Sequence, residues 1–325
     1  MDDVDIGLFD RDWNNAVYYF FLNADEKIYM RYGGRDSKSP DTYLNLDSFE
    51  IAARKALELH RRYESGDQTL PERPPAFLPR QIPLLVQRTF DRGRCVECHL
   101  IGDFQNIQRQ KTGVLDKVTD LYRSPDIRSL GIELEVPKGL VVAYVDGAAA
   151  AAGINAGDRI SALNGSAVWT FGDLQYSYDK VKRDAKEVRI AVDRKGRARE
   201  LTVKLPPRWW WTDLRFRMSS VDPQVDFEDR PLTEDEKSKR GLKAEGFASQ
   251  VSRVAERAPV RKTHALRAGD IICDVDGMEQ DDLATTASLF VKLHRTAGQS
   301  VMLNVIRDGE HIKMPLRTYA VNFRK

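Results

Sequence analysis

Cys95-Val96-Glu97-Cys98-His99 is the stretch of this chain best suited to chemistry. Two thiols one helical turn apart can add to both vinyl groups of a haem, and the histidine directly after them can ligate the iron from the same side. The spacing is that of covalent haem c attachment, with Cys95, Cys98 and His99 binding the cofactor and His99 as the metal ligand. It uses two of three cysteines and one of five histidines. Three other chemistries suit the same residues: a dithiol/disulfide switch, half of a zinc site, and a reduced structural pair. Zinc would need two more ligands, and the chain has no second CxxC and no HxxxH. Met30, His60 and Met218 are of the right type for a sixth haem ligand, and the sequence does not choose among them. Cys273, inside the apolar run 271–275, reads as a small buried core residue. No Gly-x-Ser-x-Gly or comparable nucleophile context is present, which argues against a protease in cis. The chain as given leans away from being an enzyme.

The elements that would position a second kind of site announce themselves by duplication. Ala152-Gly153-Ile154-Asn155-Ala156-Gly157-Asp158-Arg159-Ile160 reappears 112 positions later as His264-Ala265-Leu266-Arg267-Ala268-Gly269-Asp270-Ile271-Ile272. Each copy continues through an apolar strand to Asn164-Gly165 or Asp276-Gly277, pairs that tolerate positive φ and favour a tight hairpin. Each ends in a basic hairpin, Asp193-Arg194-Lys195-Gly196 and Arg307-Asp308-Gly309. A copied unit of this length is one folded module used twice.

The repeated segment resembles the PDZ domain in its bacterial form, over roughly 130–205 and 243–320. The resemblance implies two β-barrel/sandwich domains that bind protein C-termini or extended peptides by adding the peptide as a strand beside a sheet edge. In the first copy it implies a carboxylate loop at Ser129-Leu130-Gly131-Ile132, an accepting strand Glu133-Leu134-Glu135, and a helix wall over about 171–181. That wall sets Leu174 and Tyr178 one turn apart on one face. In the second copy it implies a loop at Ala244-Glu245-Gly246-Phe247-Ala248, where Glu245 should repel a carboxylate.

The front of the chain reads as strand, strand, helix. The aromatic run 16–22 and the alternating 27–32 make a hairpin. Asp47-Ser48-Phe49-Glu50 has the form of a capping box, followed by a stripe of Phe49, Ala52, Ala53, Ala56, Leu57 and Tyr63. These elements look like the second half of a thioredoxin fold. Together with Phe9-Asp10-Arg11-Asp12, FLNADEKIYMRYGGRD at 21–36, the CxxCH and the two modules, they resemble a bacterial family of thioredoxin/PDZ-containing (seleno)proteins. Asn14 and Asn15 stand where thioredoxins usually place a cis-proline, and no cysteine or selenocysteine motif precedes the hairpin.

The expected fold is therefore α+β and multidomain. A partial thioredoxin-like segment (1–64) precedes a Pro-rich connector with the CxxCH helical segment (65–125). The first PDZ domain (126–206), a linker (207–240) and the second PDZ domain (241–320) follow. Trp209-Trp210-Trp211 is expected to pack the linker against a domain. The expected function is a tandem-PDZ scaffold with a redox element; the alternative is a thiol-disulfide or selenocysteine oxidoreductase whose active-site half is missing. With 51 basic and 49 acidic residues, there is no field to gather nucleic acid. No apolar run approaches the roughly 20 residues that span a bilayer. The acidic start carries no export signal, so the expected location is periplasmic or exported if the true N-terminus lies upstream, and cytoplasmic otherwise.

Overall fold

The aromatic run forms strand β1 (Tyr18–Leu22), which pairs antiparallel with β2 (Ile28–Gly33) so that Tyr18 lies opposite Gly33. The computed structural model describes residues 3–36, 38–212, 214, 221–255 and 266–320. They fall into two units, Met1–Gln105 with Asp116–Phe216, and Asn106–Leu115 with Arg217–Lys325.

In the first unit, helix α1 (Leu46–Glu64) lays Ala52, Ala56 and Leu59 against Met30 and Tyr32 of β2. Its cap is not the expected Asp47–Glu50 box. Asn45 has an extended backbone that lets its side chain fold back and accept the N–H groups of Asp47 and Ser48. Leu57, expected on the buried stripe, is 58% exposed, because it lies about 100° around the helix from Ala56. Short helix α2 (Pro83–Arg88) follows the Pro-rich connector, and α3 (Cys98–Lys111) begins at the second cysteine.

The remainder of this unit is β3 (Ile132–Leu134), β4 (Val142–Val145), α4 (Gly147–Ala151), β5 (Arg159–Leu163), β6 (Ser166–Ala167), α5 (Phe171–Asp179), β7 (Glu187–Arg194) and β8 (Arg197–Lys204). β3 and β4 form a two-stranded sheet; the others run in the order β6-β5-β7-β8. Asn164 and Gly165 both take positive φ at the β5–β6 turn, as their types foretell.

The second unit holds β9 (Phe227–Pro231), α6 (Glu234–Ser238), β10 (Ser249–Val254), β11 (Ile271–Val275), α7 (Ala287–His294), β12 (Ser300–Arg307) and β13 (Glu310–Arg317), with sheet order β13-β12-β11-β10-β9. Its pairing repeats that of the first unit. Val142 donates to Asp158 O and accepts from Gly157 N–H; Val251 does the same with Asp270 and Gly269. β10 therefore corresponds to β4. β3 pairs with β4 through Ile132↔Val145, Glu133↔Tyr144 and Leu134↔Val142. β9 pairs with β10 through Phe227↔Val254, Arg253↔Glu228 and Val251↔Asp229. Asp146 N–H donates to Gly131 O, and Ala255 N–H donates to Asp226 O. The counterpart of the accepting strand is thus β9, inside the stretch expected to be a linker at 207–240. The expected start at 241 was too late because residues 232–248 intervene between the two paired strands, where the first copy has only 135–141.

The repeated Gly-Asp corner is a structural clasp. Arg194 donates from Nε and Nη2 to the two carboxylate oxygens of buried Asp158, each at 2.7 Å. Arg307 grips Asp270 in the same way at 2.7 and 2.6 Å. Each pair ties the basic hairpin back to the corner with a bidentate, charge-assisted bond. No helix among the described residues is long and apolar enough to cross a membrane.

Candidate functional site

The first unit's groove lies between β3 and α5. Gly131 carries the chain into β3 at φ +84°, and a Cβ there would sit 2.3 Å from Asp146 Oδ1 and 2.4 Å from Asp146 O, so a side chain is excluded. β3 pairs with β4 on one edge, and no described strand pairs with the other. On the facing wall, the Thr170 hydroxyl caps α5 by accepting the Asp173 N–H at 3.2 Å. Leu130, Ile132, Leu174 and Tyr178 are each 0% exposed, and Leu134 is half-buried. The expected apolar set is present, and it is shut. Tyr178 OH lies 2.9 Å from Ser129 Oγ, joining helix to loop, while the Trp209 ring packs 4.6 Å from that of Tyr178. Trp209 and Trp210 are buried, as expected for a packing cluster.

α5 is also held by residues that sequence alone did not single out. Arg31 N–H donates to Asp173 Oδ1 at 2.8 Å, and the Thr170 hydroxyl donates to Arg31 O. The Gln175 amide donates to the carbonyls of Arg35 and Ser124, each at 3.1 Å. Tyr43 stacks flat on Phe171 with centroids 3.3 Å apart, and its hydroxyl donates to Asp126. Burial pushes the Asp173 carboxyl up to about 6, partly offset by the Arg31 N–H. At the helix end, burial acts to raise Asp179, but Arg123 and Arg183 outweigh it and hold the carboxyl below its ordinary range. Gly172 alone departs from good helix-forming composition; Asp173 in the first turn and Gln175 read as ordinary surface residues of a helix.

The family model for the PDZ domain matches residues 128–205. Residues 128–205 are a PDZ domain. Among solved structures, the chain is similar to the HtrA-type protease AlgW with decapeptide, at 20% identity over 42% of this chain and 42% of that chain, TM-score 0.25. It thus spans about two fifths of that protease's length. It is also similar to the HtrA3 PDZ domain bound to a phage-derived ligand (17% identity, 30% of this chain, 86% of that chain, TM-score 0.24). A third is the PDZ domain of the carboxy-terminal protease from Vibrio cholerae in complex with peptide (15%, 31%, 96%, TM-score 0.22).

Measured against this PDZ domain, the expected loop of the second copy is misplaced. Gly246 and Phe247 follow β9 instead of preceding it, and Phe247 N–H is already donated to Glu279 O while its ring stacks on Phe290 at 4.6 Å. Lys237 Nζ donates to Ala244 O at 2.8 Å and Gly246 O at 2.5 Å, so this loop is an internal brace. The register puts Val225, Asp226 and Phe227 where the PDZ domain has Leu130, Gly131 and Ile132. An acid does stand in the turn, but it is Asp226, which accepts the Tyr319 hydroxyl at 2.7 Å. Asp229 spans from β9 to α7, accepting the Ser288 N–H at 3.1 Å and hydroxyl; burial raises its carboxyl.

The cysteine pair lies in the first unit. Cys95 is exposed and Cys98 half-buried at the first turn of α3. Arg11 Nη2 donates to Cys98 Sγ at 3.0 Å. His99 is 51% exposed, with Nδ1 3.6 Å from a Glu97 carboxylate oxygen, and residues 91–95 are all exposed. Met30 is sealed in the hairpin–α1 cluster, His60 Nδ1 is 2.8 Å from Tyr29 OH, and Met218 lies outside the described residues. Haem needs an apolar wall on both faces, and these charged, exposed surroundings do not fit one. Among the described residues no group of three or more His, Cys, Asp and Glu converges as a metal site. Cys273 is buried and its thiol is pushed up to about 11 by burial, in keeping with a core residue.

Proposed function

We propose that the chain is a peptide-binding scaffold whose working groove is that of the PDZ domain at 128–205. The observation that carries this reading is the unpaired edge of β3 beside the Gly131 turn, whose preceding Ser129 bonds to Tyr178 of α5. A peptide adds to that edge by main-chain hydrogen bonds, its terminal carboxylate meets the N–H groups of residues 130–132, and its last side chain enters among Leu130, Ile132 and Leu174. Those three residues select an apolar C-terminal residue. The second copy repeats the strand arrangement, and as a second PDZ module it is the weaker receptor, because Asp226 opposes a carboxylate and Asp229 fills the strand–helix gap. Binding of a C-terminal peptide library to the full chain tests the reading: free carboxylates should bind more tightly than the same peptides amidated, and Gly131→Val should remove that preference. Equal binding of free and amidated peptides would overturn it.

Arg11 beside Cys98 supports a second role, reversible thiol–disulfide exchange. Cys95 and Cys98 would give up two protons and two electrons to form one disulfide as a partner disulfide is reduced to two thiols. Mass spectrometry after equilibration in defined glutathione buffers tests it; a pair that stays fully reduced in oxidised glutathione would refute it.

A further inference from the structure

A PDZ groove used by an outside ligand should leave its helix wall accessible, yet α5 is covered by residues from the front of the same unit. We propose that residues 31–36 together with Tyr43 form a built-in cover of the groove, which a peptide with an apolar C-terminus must displace. This deepens the peptide-binding reading and rests on it. The cover reaches both walls. It holds α5 through Asp173, Thr170, Gln175 and Phe171, and it holds the approach to the carboxylate loop through Tyr43–Asp126 and the Asp36–Arg128 ion pair. A peptide running antiparallel to β3, its end at Gly131, would direct its upstream residues towards Val136. Tyr43, Ile51, Val136, Trp169 and Phe171 line one small cavity there, so Tyr43 and α1 stand in the peptide's path.

The fit of the cover is close and its bonds are exchangeable. A Cβ on Gly34 would sit 2.5 Å from the Phe171 ring, and one on Gly172 would sit 3.0 Å from Arg31 O and from Tyr18 OH. Glycine on both sides of the seam lets backbone meet helix. Beside the Tyr43–Phe171 stack, the Arg31 guanidinium over the Tyr176 ring and Trp169 against the Met30–Tyr32 cluster, the seam is crossed by hydrogen bonds and one ion pair. Water can replace these polar bonds at small net loss, unlike the apolar core beneath α5. A ligand that binds only the open form has its apparent affinity lowered by the fraction of molecules that are open.

The test is peptide binding to the full chain by fluorescence anisotropy, with a free-carboxylate peptide ending in valine. Tyr43→Ala, a substitution outside residues 128–205, removes the stack on Phe171 and the Asp126 bond. Gly172→Leu drives a wedge into the seam at a position where leucine favours helix. Both should tighten binding at least about tenfold over wild type, and Gly131→Val added to either should abolish the gain. In wild type, saturating peptide should also speed amide exchange at Arg31–Gly33, a readout needing no variant. If the variants bind no better than a wild type that does bind, and exchange is unchanged, the cover is refuted and the peptide-binding reading stands. If no form binds although exchange shows the seam open in Tyr43→Ala, both fall.

Discussion

Asp173 makes the stability of the first unit depend on pH in an unusual direction. Its carboxyl is buried on α5, accepts the Arg31 N–H at 2.8 Å and the Trp169 N–H at 3.3 Å, and is pushed up to about 6 by burial. In the unfolded chain it reverts to 3.8. Between those values the folded state holds a proton that the unfolded state has released. Stability therefore rises as pH falls through 6, is fully gained below 3.8, and is lost again as pH rises. A gap of about two pH units corresponds to about 3 kcal/mol. About 2 kcal/mol of that is gained between pH 7.5 and 4.5, which for a unit of about 200 residues becomes an upward shift in Tm of about 4–8 °C. Asp10, Asp36 and Asp179 are held low and oppose the trend only near and below their own range. Asp126, in the same unit, is raised and adds to it, so the decisive quantity is the difference between wild type and Asp173→Asn. Calorimetric melts at half-unit pH steps should show a rising Tm on acidification in wild type and a markedly flatter profile in the variant. Parallel profiles for the two proteins would refute the assignment.

Asp158→Ala should lower the urea midpoint, since it removes the bidentate partner that ties Arg194 to the corner; a urea midpoint within error of wild type would show that the clasp contributes nothing. In the second copy, Asp226→Gly should raise affinity for free C-termini measured by calorimetry, while Glu245→Gln leaves it unchanged, and the reverse order would restore residues 244–248 as the carboxylate loop. Protein made in cells competent for cytochrome maturation should give no pyridine haemochrome band, whereas a stoichiometric band would show that the exposed CxxCH does accept haem.

Local chemistry was readable without a structure wherever one residue type solves one backbone problem. Asn164-Gly165 and Asp276-Gly277 make the turns their φ tolerance demands, Gly131 takes the bend that no side chain allows, and the duplicated Gly-Asp corner marks the same pair of strands twice. Pairing partners distant in the chain were not readable. Residues 227–231 form a strand because β10 offers an open edge, and nothing in FEDRP itself says so; hydrogen bonding between strands is blind to sequence separation. The same holds for the front segment. Its hairpin and helix could be written down from periodicity, but their packing on α5 arises from polar groups at Arg31, Asp173 and Gln175 that look like ordinary surface until they are paired. Sequence determined that residues 128–205 hold a PDZ domain and how its corners turn; tertiary structure alone decided that the groove residues Leu130, Ile132, Leu174 and Tyr178 are closed in, because burial is a property of what comes to lie over a residue and not of the residue.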